Sequence, residues 1–199
     1  MRLVMILLAM FLALAEPAAA DTLADGWAAY QHGDYATALT LFQPLADHGN
    51  AAAQNGLGFM YANGQGVPQS YDEAMKWYRK AADQGNAAAQ TNLGFEYAEG
   101  RGVPQDYSEA FRWWRQAAEQ DEPKAQYNLG VMYDAGQGAP LDYVQAHKWF
   151  NLAALRFSAA SEEEKLDAAA KYRDIVAAKM TPDQIAEAQR LAREWRPTK

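Results

Sequence analysis

Apolar side chains recur along this chain at helical spacing, and the pattern itself repeats. Ala53, Leu57 and Tyr61 are spaced four residues apart, so they fall on one face of an α-helix. The same stripe returns twice, each time 36 residues later, at Ala89, Leu93 and Tyr97 and at Ala125, Leu129 and Tyr133. A unit of this length cannot bury its apolar face alone, so the sequence predicts a stack of helical repeats.

A second apolar stripe follows in each copy and predicts a second helix. Ala74, Trp77, Tyr78 and Ala82 show it with i, i+3, i+4 and i+8 spacing, after a glycine- and proline-containing loop at residues 64–68. In the three copies this helix is preceded by a good N-cap residue, Ser70, Asp106 or Asp142. A Glu or Gln follows each of them three positions later. Each such pair predicts a capping box.

The first helix of each copy has a defined end and an unusual interior. It is predicted from about Ala51 to Ala62, closed by Gly64 in the left-handed conformation. A glycine also lies mid-helix in each copy, at Gly58, Gly94 and Gly130. Because a mid-helix glycine costs about 1 kcal/mol relative to alanine, we expect it where the two helices of a repeat approach closely.

The N-terminal end differs from the repeats. Residues 1–20 hold one early basic residue, an apolar run from Leu3 to Ala15 and small residues at Ala18 and Ala20. This pattern predicts a signal peptide cleaved after Ala20, because the apolar run is too short to cross a bilayer. The mature protein would then be periplasmic or secreted, without an integral membrane segment.

The equivalent tyrosines Tyr35, Tyr71, Tyr107 and Tyr143 are spaced by 36 residues, which predicts four repeats. The first is abbreviated, and the approximate boundaries are 21–50, 51–86, 87–122 and 123–157. After Phe157 the period stops, and residues 158–199 are predicted to form two capping helices. Ser161 would cap the first of them, and Thr181 with Gln184 the second.

Charge restricts the class of partner. The formal net charge is −7, with 8 basic and 16 acidic side chains in residues 21–155. An acidic surface argues against nucleic acid and anionic membranes, and it favours a basic or amphipathic protein or peptide. The chain contains no cysteine, so it has neither a disulfide framework nor a thiol for lipid attachment.

The repeated Leu-Gly-x-x-Tyr, Gly-x-Gly-Val-Pro and Trp-Tyr-x-x-Ala-Ala motifs resemble those of the Sel-one-like repeat family, relatives of the tetratricopeptide repeats. The resemblance runs from Asp21 to about Phe157, and the closing helices resemble those of exported bacterial members. It implies an all-α fold, a right-handed α/α superhelical solenoid, and adaptor or regulator proteins in a Gram-negative periplasm. Some exported members are disulfide-stapled and bind or slowly hydrolyse penicillins, and this chain differs from them by having no cysteine.

By the same analogy, one side of each first helix would line a concave groove. Its residues alternate aromatic or aliphatic with short polar types, at Asn55, Phe59, Asn63, Thr91, Phe95, Glu99, Tyr127, Val131 and Asp134. Such a surface suits a peptide or an amphipathic helix. The alternative is that Phe59 and Phe95 pack between neighbouring first helices, since stacked repeats need contacts between units.

No catalytic, cofactor or metal site is predicted. His32, His48 and His147 are scattered, and none is paired with a carboxylate at helical spacing, so we expect them at the surface. Nucleophile, phosphate-loop and zinc-protease motifs are absent from the sequence.

The sequence therefore predicts a periplasmic, non-enzymatic interaction scaffold that binds a protein segment in its groove. Two alternatives stay open. One is a cell-wall factor that binds peptidoglycan fragments or β-lactams, with weak hydrolase activity. The other is a purely structural link between envelope complexes.

Overall fold

A computed structural model describes residues 21–160 and 162–198, which are helical wherever they form regular structure. Helix α1 covers residues 21–31, and nine further helices follow. These are α2 (Tyr35–Asp47), α3 (Ala51–Asn63), α4 (Tyr71–Asp83), α5 (Ala87–Glu99), α6 (Tyr107–Glu119), α7 (Pro123–Ala135), α8 (Tyr143–Ala159), α9 (Glu163–Ala177) and α10 (Pro182–Glu194). No helix in these ranges is long and apolar enough to cross a membrane. The signal-peptide prediction concerns residues 1–20, which lie outside the described residues.

The chain divides after Gln84 into two compact units. In the first, α2 packs on α3 and α3 on α4. Its core is centred on Phe42 and Leu57, both fully buried. A Cβ on Gly56 would lie 3.0 Å from the Phe42 ring, so this glycine gives the ring its space. The predicted apolar stripe of the first helices therefore faces a core here.

The second unit begins at Gly85 and contains three helix pairs and the C-terminal residues. Helix α5 packs on α6, α6 on α7 and α7 on α8, and both α9 and α10 pack on α8. Leu93, Leu129 and Phe150 are fully buried, and Trp113, Trp114 and Trp149 are nearly so. Most residues predicted as core from the two stripes thus form the interior, although Tyr61, Trp77, Tyr97 and Tyr133 are only half-buried.

The mid-helix glycines allow the close approach expected of them. A Cβ on Gly94 would stand 2.3 Å from Nε1 of Trp114, closer than any relaxed contact permits. That indole nitrogen donates to the carbonyl of Thr91 at 3.0 Å, so α6 is fastened directly to the backbone of α5. The glycine therefore offsets its low helix propensity by allowing a buried aromatic ring to reach the neighbouring helix.

The helix caps predicted from the sequence are found only in part. The side chains of Ser70, Asp106 and Asp142 accept hydrogen bonds from backbone amides of the first turn, as predicted. The reciprocal bond of a capping box was also predicted, but α10 is the described helix in which it is found, between Gln184 and the backbone of Thr181. In two of the other predicted boxes the carboxylate instead forms an ion pair with a basic residue one turn along, Glu73 with Lys76 and Glu109 with Arg112.

The C-terminal region begins slightly later than the sequence indicated. Helix α8 continues to Ala159, beyond the expected end of the periodic region at Phe157. The N-cap of α9 is Glu162, without a side-chain cap bond. The cap predicted at Ser161 lies outside the described residues.

Candidate binding site

The predicted groove residues fall into exposed and buried groups. Phe59 and Phe95 are each 38% exposed and Val131 is 36% exposed. Asn63 and Glu99 are exposed, whereas Tyr127 and Asp134 are half-buried. Each phenylalanine also makes an edge-to-face contact within its own unit, Phe59 with Tyr30 at 5.8 Å and Phe95 with Trp114 at 5.3 Å. The rings thus pack on one side and face solvent on the other.

Two of the predicted groove residues are buried instead of lining an open surface. Asn55 is 8% exposed and Thr91 only 2%. The hydroxyl of Thr91 donates to the carbonyl of Ala87 at 2.9 Å, one turn back in the same helix. The i, i+4 spacing from which they were selected places a residue on a face but does not show how deeply that face is covered.

A cavity of about 350 Å³ in the second unit brings two of the predicted residues together. We call it the aromatic pocket, and it is lined by Phe95, Lys124, Tyr127, Asn128, Phe157, Lys165 and Ala168. These side chains come from four helices, α5, α7, α8 and α9. Its volume is within the range of about 300–1,000 Å³ usual for small-ligand sites.

Besides the two lysines, the lining of the aromatic pocket is apolar or aromatic except for the amide of Asn128. The Nδ2 atom of Asn128 is buried and has no hydrogen-bond partner in the part of the chain that the structure describes. Phe157, another lining residue, is 2% exposed, and the ammonium of Lys165 lies 5.9 Å from its ring centre. An amide donor in an apolar recess is suited to a carbonyl oxygen brought by a ligand.

Two lysines, Lys124 and Lys165, supply the charge at the aromatic pocket, and both are exposed. Lys165 is ion-paired with Glu162. Tyr127 contributes a neutral hydroxyl, because burial, and then the neighbouring Tyr172, raise its pKa above the ordinary value. Its ring contacts Phe150 at 5.5 Å and Tyr172 at 5.8 Å, so its position is fixed by packing.

The acidic groove residues of this unit have partners within the chain. The carboxylate of Asp134 accepts from the ammonium of Lys179, which lies two residues after the end of α9, at 2.6 Å. Glu99 lies 3.7 Å from the guanidinium of Arg101. These carboxylates are therefore less available to a basic partner than the net charge of the repeats suggests.

Several residues that line the aromatic pocket were not predicted from the sequence. Asn128 follows a predicted residue but lies outside the i, i+4 stripe. Phe157, Lys165 and Ala168 belong to the end of α8 and to α9, where the repeat period no longer applies. Only the docking of α9 on α8 brings them to the repeats, and no local signal in the sequence specifies that docking.

The histidines differ from expectation at one position. His32 and His48 are exposed, as predicted. His147 is 3% exposed, so its prediction as a surface residue is wrong. It lies on the face of α8 that α9 and α10 cover. Among the described residues, no three His, Asp or Glu side chains are grouped as a metal site requires.

The comparisons with known proteins agree with the fold. The sequence profile of the Sel1 repeat matches residues 51–86, 87–122 and 123–156. A protective antigen of uropathogenic Escherichia coli with an SLR fold is 40% identical, with a TM-score of 0.65 over 69% of this chain. A Sel1 repeat protein from Oxalobacter formigenes is 33% identical, with a TM-score of 0.65 over 86% of this chain and 72% of its own.

This chain spans 30% of the Escherichia coli antigen's length. No curated protein matches the sequence significantly. The structural neighbours are Sel1-type solenoids built from packed helix pairs, which confirms the predicted family resemblance and the fold class.

Proposed function

This chain belongs to the Sel1 repeat family, whose members are generally non-catalytic protein-interaction scaffolds, and from that premise we propose that it binds a segment of a partner protein at the aromatic pocket. The segment is amphipathic. It inserts one aromatic or aliphatic side chain between Phe95, Tyr127 and Phe157, and it presents a backbone carbonyl to the amide of Asn128.

The observation that carries this proposal is the combination of an apolar recess and one buried unpaired donor. An unpaired amide costs about 1–3 kcal/mol when it is buried, and a peptide carbonyl removes that cost on binding. Aromatic side chains in desolvated pockets account for most of the affinity in many interfaces. Because Lys124 and Lys165 are positively charged, the partner residues next to the inserted side chain should be acidic or neutral and not basic.

We further propose that the protein is exported and acts in a periplasm. The support is the pattern of residues 1–20, with its short apolar run and small residues before Asp21. Expression of the full chain in a Gram-negative host should give a periplasmic product whose N-terminal residue is Asp21. A chain lacking residues 2–20 should stay in the cytoplasm. Recovery of the full chain with an intact N-terminus from the membrane would contradict cleavage.

Affinity capture tests the binding proposal. The mature chain is immobilised and exposed to a periplasmic extract beside the Tyr127→Ala and Phe95→Ala variants, and the captured proteins are identified by mass spectrometry. The matched control is Leu155→Ala, which removes an apolar side chain that is 57% exposed and lies outside the aromatic pocket. All variants must first give the wild-type circular dichroism spectrum.

We expect a partner that the wild type and the control retain and that both pocket variants lose. A peptide from that partner should bind the pocket variants at least about tenfold more weakly than the wild type. Equal capture by all variants would refute binding at the aromatic pocket. Retention by purified cell-wall sacculi, unaffected by the pocket variants, would instead favour the cell-wall alternative.

A further inference from the structure

A second cavity, of about 360 Å³, lies in the second unit between α8, α9 and α10. It shares no residue with the aromatic pocket. Its lining includes His147 and Asn151 on α8, Arg173, Asp174 and Ala177 on α9, and Ile185, Gln189 and Arg193 on α10. We call it the His147 cavity.

The imidazole of His147 is the unusual member of this group. It is 3% exposed, and its Nδ1 atom is buried without a hydrogen-bond partner among residues 21–160 and 162–198. The two preceding repeats place Met75 and Phe111 at the equivalent position. A buried, unpaired ring nitrogen is unfavourable where the repeat elsewhere uses an apolar side chain. His147, which lines the cavity, therefore carries a polar atom for which the described residues supply no partner.

The charges around the imidazole are unbalanced. Arg173 donates to the carboxylate of Asp174 from Nε at 2.9 Å and from a terminal nitrogen at 2.8 Å. Arg193 is exposed and forms no ion pair within the described part of the chain. Burial, reinforced by the charge of Arg173, lowers the pKa of His147, while Asp174 opposes this shift. The imidazole is therefore neutral near pH 7, and the cavity carries one excess positive charge.

We propose that the His147 cavity binds a small monocarboxylate with a short apolar substituent. The planar guanidinium of Arg193 matches a carboxylate in a two-bond fork, and the Nδ1–H tautomer of His147 donates to one of its oxygens. Ala177 and Ile185 provide the contact for the apolar group. A single excess positive charge is balanced by one carboxylate, whereas a doubly charged phosphate would leave a net negative cavity.

The test uses the mature chain and N-acetylalanine as the probe, with N-acetylalaninamide and inorganic phosphate as comparisons. Binding is followed by the NMR signals of the His147 ring. Arg193→Gln removes the guanidinium, and Arg190→Gln on the same helix is the matched control, since Arg190 pairs with Glu187 and Glu194 and does not line the cavity. His147→Phe restores the kind of side chain that the repeat carries at Phe111.

We expect a saturable millimolar shift with N-acetylalanine and none with the amide. Arg193→Gln should weaken binding at least about tenfold, and Arg190→Gln should leave it unchanged. His147→Phe, followed by calorimetry, should abolish binding while the protein stays folded. The proposal is overturned by the absence of saturation, by equal binding of the amide or phosphate, or by equal effects of the two arginine variants. Because Arg193 is exposed, its variant remains informative even if His147→Phe does not fold.

Discussion

Glu96 shows how a single residue can depart from an otherwise regular repeat. The neighbouring copies place Met60 and Met132 at the same position, and both are buried in the core. Glu96 is 5% exposed, and no described residue forms a hydrogen bond with its Oε2 atom. Burial is the main cause that raises its pKa above the ordinary 4.5, with Arg101 opposing the shift and Glu99 adding to it. The buried carboxylate of Glu96 therefore lowers the stability of the fold, and the other repeats show that the fold does not need it.

We predict that Glu96→Met stabilises the protein by about 1–3 kcal/mol at pH 7, because it removes a buried, partly unsatisfied carboxylate. The pKa of Glu96 is higher in the folded protein than in the unfolded chain. The wild type therefore loses stability as pH rises through the range between these two pKa values. The gain from the substitution should accordingly be largest at neutral pH and shrink as pH falls towards 4.5. Urea unfolding at several pH values measures it, and Glu99→Met, at an exposed position, should give no comparable gain. A destabilised Glu96→Met variant would show that the carboxylate is needed.

Asp121 is a second residue-scale departure, and it also has a physical explanation. Its φ of 74° is in the left-handed region, where the equivalent positions hold Gly49 and Gly85. The carboxylate accepts from Arg156 Nε at 2.6 Å and from Gln126 Nε2 at 3.0 Å. These bonds connect α7 and α8 to the preceding turn and offset the backbone strain of a non-glycine residue. The sequence shows the substitution but does not identify Arg156, 35 residues away, as its partner.

At the scale of the element, the caps of the first helices differ among repeats. Asn50 and Asn86 accept hydrogen bonds from backbone amides of α3 and α5 at 2.9 Å. Glu122 occupies the equivalent position before α7 and makes no side-chain cap bond. Its backbone angles, φ −75° and ψ 112°, are close to those of Asn50, so asparagine fits there without rearrangement.

We predict that Glu122→Asn stabilises the protein by about 1 kcal/mol, the usual contribution of an N-cap side chain. Stabilisation is also expected because the substitution removes a partly buried carboxyl group, whose pKa is raised chiefly by burial. Chemical denaturation at pH 7 measures the change. The reciprocal variant Asn86→Glu should lose a comparable amount, and equal stability of wild type and both variants would mean that capping is not limiting in these helices.

Most of the secondary structure could be predicted because its signals are local. The first helix of the second repeat was expected from Ala51 to Ala62 and runs to Asn63, where Gly64 adopts the left-handed conformation as predicted. The reciprocal halves of the capping boxes were not predictable in the same way. Glu73 and Glu109 lie one turn from Lys76 and Arg112, and an exposed carboxylate selects between competing partners of similar strength.

At the scale of the whole molecule, the 36-residue period was sufficient to predict the fold class but not the sites. Phe95 and Tyr127 could be selected because both lie on the side of a first helix opposite its core stripe. The remaining wall of the aromatic pocket depends on where α9 docks, and the His147 cavity depends on α9 and α10 together. Tertiary docking of non-repeating helices leaves no periodic signal, so neither cavity could be predicted from the sequence.

The C-terminal residues fasten the last helix to earlier parts of the second unit. Trp195 packs against Trp149 in an edge-to-face contact at 6.2 Å and joins the core around Trp114 and Leu129. Beyond it, the backbone amide and hydroxyl of Thr198 both donate to the carbonyl of Glu119, at 2.7 and 3.0 Å. The end of the chain is thereby held against α6.

We predict that Trp195→Ala destabilises the second unit by about 2–4 kcal/mol, because it removes a large aromatic contact and loosens α10. Amide hydrogen exchange should increase in α10 and α8, with little change in α2 and α3 of the first unit. Arg196→Ala, which removes an exposed neighbouring side chain, is the control. Protection in α10 equal to that of the wild type would show that this helix is held by its other contacts.

The Trp149–Trp195 contact has a further, practical consequence. Two indole rings 6.2 Å apart and inclined by 72° couple their electronic transitions, so they should give a paired positive and negative band in the circular dichroism spectrum. The band disappears when either ring moves away. The band therefore reports, without any attached label, whether α10 is packed against α8. The binding of a ligand that moves α10 could be followed in real time from this band alone.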